Sequence, residues 1–378
     1  MDDCHTNEVW GNHEDLTDKL FSMELSQFRH HVTERLVRSV DSLSWLIQAQ
    51  SETDPFDEFI APARALVTGG KRTRAAFLLA GYQLATSAAE EPAIIAGSAM
   101  ELYQASALVH DDVIDDSPTR RGMPAAHVTF SRIHTAHQWL GSSGDFSRAG
   151  AILLGDLLLS QAGREFQTAA SMPSPADGRA AIEQFHDMSV DVAFGQYLDI
   201  RAEHQPLGQT DEAIAQAISV LRHKSASYSV QLPLVIGAAL GGGSHRLISQ
   251  LRELGGLLGE AFQMRADDLG IFGEPSQTGK PSCGDITEGK RTVLLALIRA
   301  QSKARREWVD SLLGKQLTDT DISQLRSLVI TSGAREQHER MIVEREEAAK
   351  ALLPTLDGRT EGTRTLTTLM DELEGRVS

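Results

Sequence analysis

The chain has almost nothing with which to cross-link itself or to clasp a metal through sulfur: Cys4 and Cys283 are the only cysteines in 378 residues. A disulfide framework and a thiolate cluster are thereby excluded, and a reducing compartment is expected. Positive charge is also short. Lys and Arg number 36 against 52 Asp and Glu, a formal charge of -16, which repels phosphate backbones and anionic lipid heads unless a local basic patch overrides it. Nucleic acid is therefore not an expected partner. No apolar run nears the roughly 18 residues that span a bilayer, so no transmembrane segment is expected. The acidic start MDDCHTNEVWGNHEDLTDKL is unlike a secretory leader. Together these absences point to a cytoplasmic protein. Alternating strand patterns are missing as well.

What the sequence does have is helical periodicity. Residues 1–23 are polar without a period and predict a disordered acidic tail. Beyond them, LSQFRHHVTERLVRSVDSLSWLIQ and AAFLLAGYQLATSAA place apolar residues at the three-and-four spacing of a buried helix face. Long helices are predicted over 91–116, 148–171, 178–203, 211–241 and 244–272, with Pro233 kinking the fourth. The Gly/Pro-rich stretch 272–290 is long enough to predict a flap. The helices after it, ending near Arg376, read as peripheral packing. No repeat or linker divides the chain, so 24–378 is expected to form one all-α domain, a large helical bundle.

The stretch VHDDVIDDSPTRRG concentrates charge of both signs. On a helix Asp111 and Asp115 share a face, with Cβ atoms about 5–6 Å apart. Carboxylates held that close suit Mg²⁺, which takes oxygen ligands and is completed by substrate phosphates; a solvated acidic helix end is the plainer alternative. The preceding AIIAGSAMELYQASALVH is apolar, which favours acids facing a cavity. Arg120 and Arg121 add guanidinium forks suited to phosphate oxygens. A second acidic segment, FQMRADDLGIFG, puts Asp267 on the face of Gln263, whereas Asp268 is rotated by about 100° more. Basic groups recur beside turns: GGKRTR at 69–74, Lys224 with Ser225 in RHKSASY, Lys280, and Lys290 in EGKRT.

In the order and spacing of these motifs, joined by AILLGDLLLSQA and DVAFGQYLDI, the chain resembles the trans-isoprenyl diphosphate synthases of the polyprenyl synthetase family. The resemblance covers most of the sequence. It implies an all-α bundle around a deep central cavity, usually a homodimer, that joins isopentenyl diphosphate to an allylic prenyl diphosphate with several Mg²⁺ ions. By position, Asp111, Asp112 and Asp115 would hold metal, with Asp267 contributing from the second motif. Lys71, Arg74, Gln104 and Arg121 would bind isopentenyl diphosphate. Arg120 would address the allylic diphosphate; Lys224, Ser225 and Gln263 would stand near the reacting carbon, and Lys280 and Lys290 would reach the leaving group.

Two departures stand out. Ala266 occupies the position of the first acid of the second motif, normally a metal ligand in the family, which predicts a weakened metal site for which Asp267 would compensate; Gly270 stands where many relatives have a third Asp. At the positions of Ser106 and Ala107, where bulky aromatics stop the product early in this family, the residues are small. Tyr103, one turn lower, is then a candidate floor and geranylgeranyl diphosphate the expected product, a farnesyl or longer product being the alternative. A class I terpene cyclase would share the metal chemistry but would not need the basic GGKRTR pocket. A weakly active regulatory subunit of a heteromeric synthase is the remaining alternative.

Overall fold

The computed structural model describes residues 24–48, 55–173, 176–206, 208–273, 282–300 and 302–375. The expected tail and Lys280 lie outside the described residues. The described chain is almost wholly helical. Its first half runs α1 (Leu25–Gln48), α2 (Phe56–Thr68), α3 (Thr73–Ala85), α4 (Glu91–Ile114), a hairpin of β1 (Thr119–Arg120) and β2 (Met123–Pro124), α5 (Ala126–Ala136), α6 (Ser143–Ala170) and α7 (Arg179–His204). The second half runs α8 (Thr210–Leu221), a π-helical segment (Arg222–Gln231), α9 (Leu232–Leu240), α10 (His245–Phe272), a short α11 (Gly284–Thr287), α12 (Val293–Arg299), α13 (Lys303–Leu312), α14 (Asp319–Thr331), α15 (Ala334–Leu352) and α16 (Thr360–Glu374).

The long helices start where side chains cap them. Ser142 accepts the Asp145 N–H and Ser244 accepts the Leu247 N–H, which satisfies donors that the first turn would leave open. One hydrophobic core gathers residues of α1, α3, α4, α6 and α7, including Phe28, Leu79, Met100, Leu154 and Met188. At its edge α3 crosses α9 almost backbone to backbone. A Cβ on Gly81 would lie 2.0 Å from the Leu234 carbonyl oxygen, and one on Gly237 would lie 1.9 Å from that of Leu78, so the crossing requires glycine on both helices.

The expected kink at Pro233 takes another form. The stretch 211–241 divides into α8, the π segment and α9, and the Leu232 N–H reaches back five residues to the Ser227 carbonyl. Proline has no N–H to donate and its ring crowds the carbonyl four residues earlier; a widened turn just before it relieves both problems.

The C-terminal helices are not peripheral. Leu325, Val329, Ile342 and Leu366 are fully buried. α16 lies on α3, where Thr365 Oγ1 donates to Gln83 Oε1 at 2.6 Å. α15 is laced to α10 by Arg265–Glu346 at 2.7 Å, Arg335–Asp268 at 2.8 Å and Arg345–Glu260 at 2.8 Å. Long charged residues spaced along a helix look solvated in sequence, and here they join two helices.

Candidate active site

α4 is apolar along most of its length and ends in acids. The Asp115 N–H bonds the Asp111 carbonyl, closing the last turn so that the two side chains share a face. Asp112, 3% exposed, is held by Arg120, whose Nε donates to Oδ1 at 2.8 Å and whose terminal nitrogen also reaches Asp111 Oδ2 at 3.5 Å. Burial lifts the Asp112 carboxyl above its usual range, against the pull of Arg120. Arg120 is aimed by the hairpin. Arg121 and Gly122 both take positive φ, 53° and 75°, which makes the tight turn that suits two twisted strands. The two arginines then diverge, and Arg121 donates to the carbonyls of Leu66 at 2.9 Å and Gly69 at 2.7 Å.

Two lysines close on these acids. Lys224 Nζ, on the π segment, lies 3.3 Å from Asp111 Oδ1 and 2.5 Å from Asp199 Oδ2. Lys290 Nζ lies 3.2 Å from Asp115 Oδ2 and also pairs with Glu288. Burial works to lower both ammonium pKa values, but the surrounding carboxylates outweigh it and raise them. Ser225 follows Lys224, half-buried. α7 brings side chains that sequence reasoning left unassigned inside DVAFGQYLDI. Gln196 Nε2 donates to Asp111 Oδ1 at 3.3 Å, and Asp199 holds Lys224. Glu203, one turn beyond, is pushed up to about 7 by burial and by the charges of Asp199 and Asp115. The signal was a helical one: 196, 199 and 203 recur at three-and-four spacing and share a face.

α10 supplies the second acidic group. Gln263 Nε2 donates to Asp267 Oδ1 at 2.9 Å, and burial, followed by the charge of Asp285, drives the Asp267 carboxyl well above the usual range. Asp268 turns away, as its 100° offset predicts, onto Arg335. Ala266 is exposed.

The loop 69–74 gathers with Arg121 into a basic pocket. Arg74 donates to Ser229 Oγ at 2.8 Å and lies 4.2 Å over the Tyr228 ring, whose hydroxyl donates to Gln104 Oε1 at 2.5 Å. Arg72, not singled out from sequence, is buried in a left-handed conformation; it bonds Thr33 Oγ1 at 2.9 Å and the Gly69 carbonyl at 2.8 Å, and lies 3.7 Å from Glu101. Lys71 is exposed at the rim. Burial lowers the Arg121 pKa; Glu101 opposes that shift, while Arg72, Arg74 and Arg120 add to it. Arg72 and Arg121 share one glutamate, with Arg74 beside them, an excess of guanidinium charge that suits an anion.

Below the acids, Tyr103 is buried with its ring edge-on to Phe185 at 6.1 Å and Tyr228 at 6.2 Å, and Phe185 stacks on Phe166 at 4.4 Å. Ser106 donates to the Gly155 carbonyl of α6 at 2.8 Å, so its hydroxyl is engaged by a neighbouring helix; Ala107 is partly exposed.

An all-α fold that gathers acids and lysines at one helix end, with a separate group of arginines nearby, fits a class, the prenyl-transferring enzymes that act on diphosphates, and comparison with known proteins agrees. The profile of the polyprenyl synthetase family matches residues 57–329. Geranylfarnesyl diphosphate synthase of Aeropyrum pernix is 29% identical over 322 residues, 84% of this chain and 93% of that protein. A short chain isoprenyl diphosphate synthase of Methanothermobacter thermautotrophicus is 30% identical over 266 residues, 70% of this chain and 74% of that protein. Among solved structures, a geranylgeranyl pyrophosphate synthase from Corynebacterium glutamicum, complexed with isoprenyl diphosphate and magnesium, superposes with a TM-score of 0.85 at 34% identity, covering 94% of this chain and all of that one. The chain belongs to the polyprenyl synthetase family, and its activity is that of a trans-prenyl diphosphate synthase.

The residues present fit the magnesium that this family implies. Asp115 Oδ2 is buried and accepts no hydrogen bond, with the Lys290 ammonium as counter-charge at 3.2 Å, so it keeps lone pairs for a cation. Among the described residues no three metal-binding side chains form a ready-made cage. Mg²⁺ is usually bound through one or two carboxylates, with substrate phosphates and water completing the shell. No described helix is long and apolar enough to cross a membrane.

Proposed function

We propose that the protein joins isopentenyl diphosphate to allylic diphosphates and stops at geranylgeranyl diphosphate. The observation that carries this reading is the presence of two separate cationic groups: Arg120, Lys224 and Lys290 pair with the acidic end of α4, while Arg74 and Arg121 are held apart from it by Ser229 and by the carbonyl of Leu66. Two diphosphates need two such groups, whereas a cyclase acting on one diphosphate needs only the first.

In this reading Asp111, Asp112, Asp115 and Asp267 hold Mg²⁺, which supplies charge neutralisation on the departing diphosphate oxygens. Arg120, Lys224, Lys280 and Lys290 bind those same oxygens, where negative charge grows as the allylic carbon–oxygen bond breaks and its electron pair leaves with diphosphate. Substrate arrival exchanges the Lys224–Asp111 and Lys290–Asp115 pairs for phosphate contacts. Lys71, Arg74, Gln104 and Arg121 fix isopentenyl diphosphate so that its double bond faces the allylic cation. The Ser225 hydroxyl and the Gln263 amide oxygen steady that cation, and the proton lost after coupling passes to the released diphosphate. Tyr103, braced by Phe185, sets the depth of the prenyl channel, and the small side chain of Ala107 leaves it open above.

A homodimer built on residues 24 onward completes the proposal. Leu153 on α6 is 59% exposed, and Val190, Phe194 and Tyr197 on α7 are 71%, 50% and 60% exposed, an apolar band that a second copy would cover. The deciding experiment incubates the purified chain with Mg²⁺, isopentenyl diphosphate and dimethylallyl, geranyl or farnesyl diphosphate, with products read by mass spectrometry. Geranylgeranyl diphosphate is the expected end product. A different end product refutes the chain-length assignment, and no condensation at all refutes the enzyme reading in favour of a subunit that needs a partner.

A further inference from the structure

Asp191, the first residue of DVAFGQYLDI, is one carboxylate with two anchors on the π segment. Its Oδ1 lies 2.5 Å from His223 Nδ1, and Ser227 Oγ donates to its Oδ2 at 2.5 Å. His223 and Ser227 bracket Lys224, and the Phe194 ring stands edge-on to that of His223 at 5.6 Å. Asp191, Gly195 and Asp199 recur at a spacing of four, so they form one stripe of α7. The whole stripe lies on the π segment. A Cβ on Gly195 would fall 2.3 Å from the Lys224 backbone nitrogen and 2.4 Å from the His223 carbonyl carbon, and Asp199 holds the Lys224 ammonium. We infer that Asp191 is a positioning residue that aims Lys224 by tying both sides of its turn to α7. The inference rests on the reading of Lys224 as a donor to the departing diphosphate.

Long π-helical runs are rare, so a segment of ten residues has to be held from outside. α10 does part of this. A Cβ on Gly259 would fall 2.5 Å from the Ala226 carbonyl oxygen, one on Gly255 would fall 2.7 Å from the Gln231 Cα, and Glu260 pairs with Arg222. These contacts hold the two ends and the far side, whereas Asp191 alone joins positions 223 and 227 through one rigid group. Lys224 itself has a flexible four-carbon stem. Asp111 and Asp199 restrain its tip, and the Asp111 contact is the one given up to diphosphate in the reading above. The Asp191 anchors act on the backbone root instead and are untouched by that exchange.

Steady-state kinetics of the full chain with Mg²⁺, isopentenyl diphosphate and an allylic primer test this through a double-mutant cycle. Asp191→Leu removes both anchors at similar size; kcat is expected to fall on the order of ten- to a hundredfold, as for a misplaced catalytic group. KM for isopentenyl diphosphate should not change. Asp191→Asn keeps an acceptor for Ser227 and an amide for the other imidazole tautomer of His223, so it is expected to recover most of the loss. In a Lys224→Met background, adding Asp191→Leu should cost nothing further, because the group it aims is gone. Losses that multiply would overturn the inference. So would wild-type kcat in Asp191→Leu, a loss carried by KM for isopentenyl diphosphate, or an Asp191→Asn variant as slow as Asp191→Leu. Should Asp191→Leu not fold, Ser227→Ala, which removes one anchor, takes its place in the cycle with the same criteria. Wild-type kcat in Lys224→Met refutes the reading of Lys224 itself, an outcome distinct from a cycle without coupling.

Discussion

Lys290 Nζ lies 3.2 Å from Asp115 Oδ2, so a cation carried on the flap segment closes against the last acid of α4. The pair is deep, with the Asp115 side chain only 5% exposed. Replacing Lys290 with Met removes a counter-charge to Asp115 and, in the proposed mechanism, a donor to the leaving group. We expect kcat to fall by about 10²–10³-fold, the loss typical of removing one preorganised donor to a developing anion. KM for isopentenyl diphosphate should hardly change, because Lys290 stands apart from the Arg74 and Arg121 pocket. Steady-state kinetics that showed the loss in that KM instead would move Lys290 to the other substrate.

Product length should answer to Tyr103 and not to Ser106. Tyr103→Ala is expected to extend the product beyond the wild-type length, and Phe185→Leu, which removes the ring bracing Tyr103, to do so partially. Ser106→Ala should leave the products unchanged while costing about 1 kcal/mol for the lost bond to Gly155. Mass spectrometry of the reaction products and thermal melts check all three variants.

The α3–α9 crossing makes a stability prediction. Gly237→Ala must force a methyl group against the Leu78 carbonyl, which is backbone and cannot swing aside, so a loss of about 3 kcal/mol or more is expected. Gly163 in α6 has open space around its Cβ position, and Gly163→Ala should be stabilising by about 0.5–1 kcal/mol. Denaturant titration of the pair gives the contrast.

His338 links stability to acid. It is 1% exposed at the α10–α15 seam, its Nε2 has no hydrogen-bond partner, and burial lowers its pKa to about 4, with Asp268 opposing and Arg265, Arg345 and Arg335 adding to the effect. The unfolded chain therefore takes up a proton near pH 6.5 that the folded chain refuses until about 4. Stability from this residue is complete above pH 6.5 and is lost as pH falls towards 4, by roughly 3 kcal/mol at most. His338→Leu should flatten that part of the curve of melting temperature against pH.

The exposed apolar band of α6 and α7 predicts that Leu153→Glu combined with Phe194→Glu yields a monomer from a dimeric wild type, as read by light scattering. A wild type already monomeric at micromolar concentration would remove the band from the argument.

Much of the site was legible because local geometry fixes it. Asp111 and Asp115 had to share a helix face, Asp268 had to miss it, and an SPTRRG turn had to present two arginines. Other residues could not be found that way. Asp199 and Gln196 matter because α7 packs beside the π segment, which is a fact of tertiary contact. The helices after the flap looked peripheral because their charged residues resemble a solvated surface, yet Arg335, Arg345 and Glu346 meet partners on α10 while Ile342 and Leu366 enter the core. The π segment was hidden for another reason: its side-chain pattern differs little from that of an α-helix, and only the reach of the Leu232 N–H to Ser227 reveals it.

That segment holds one more residue in its loop than an α-helical path would need. Deleting a single amino acid between 225 and 231 would let the segment tighten towards ordinary helix and wind everything upstream by about 100° relative to α9. The Lys224 ammonium would then swing off Asp111 with no active-site group changed. The aim of this lysine is thus a matter of counting along the chain, and indels here should be far less tolerated than substitutions.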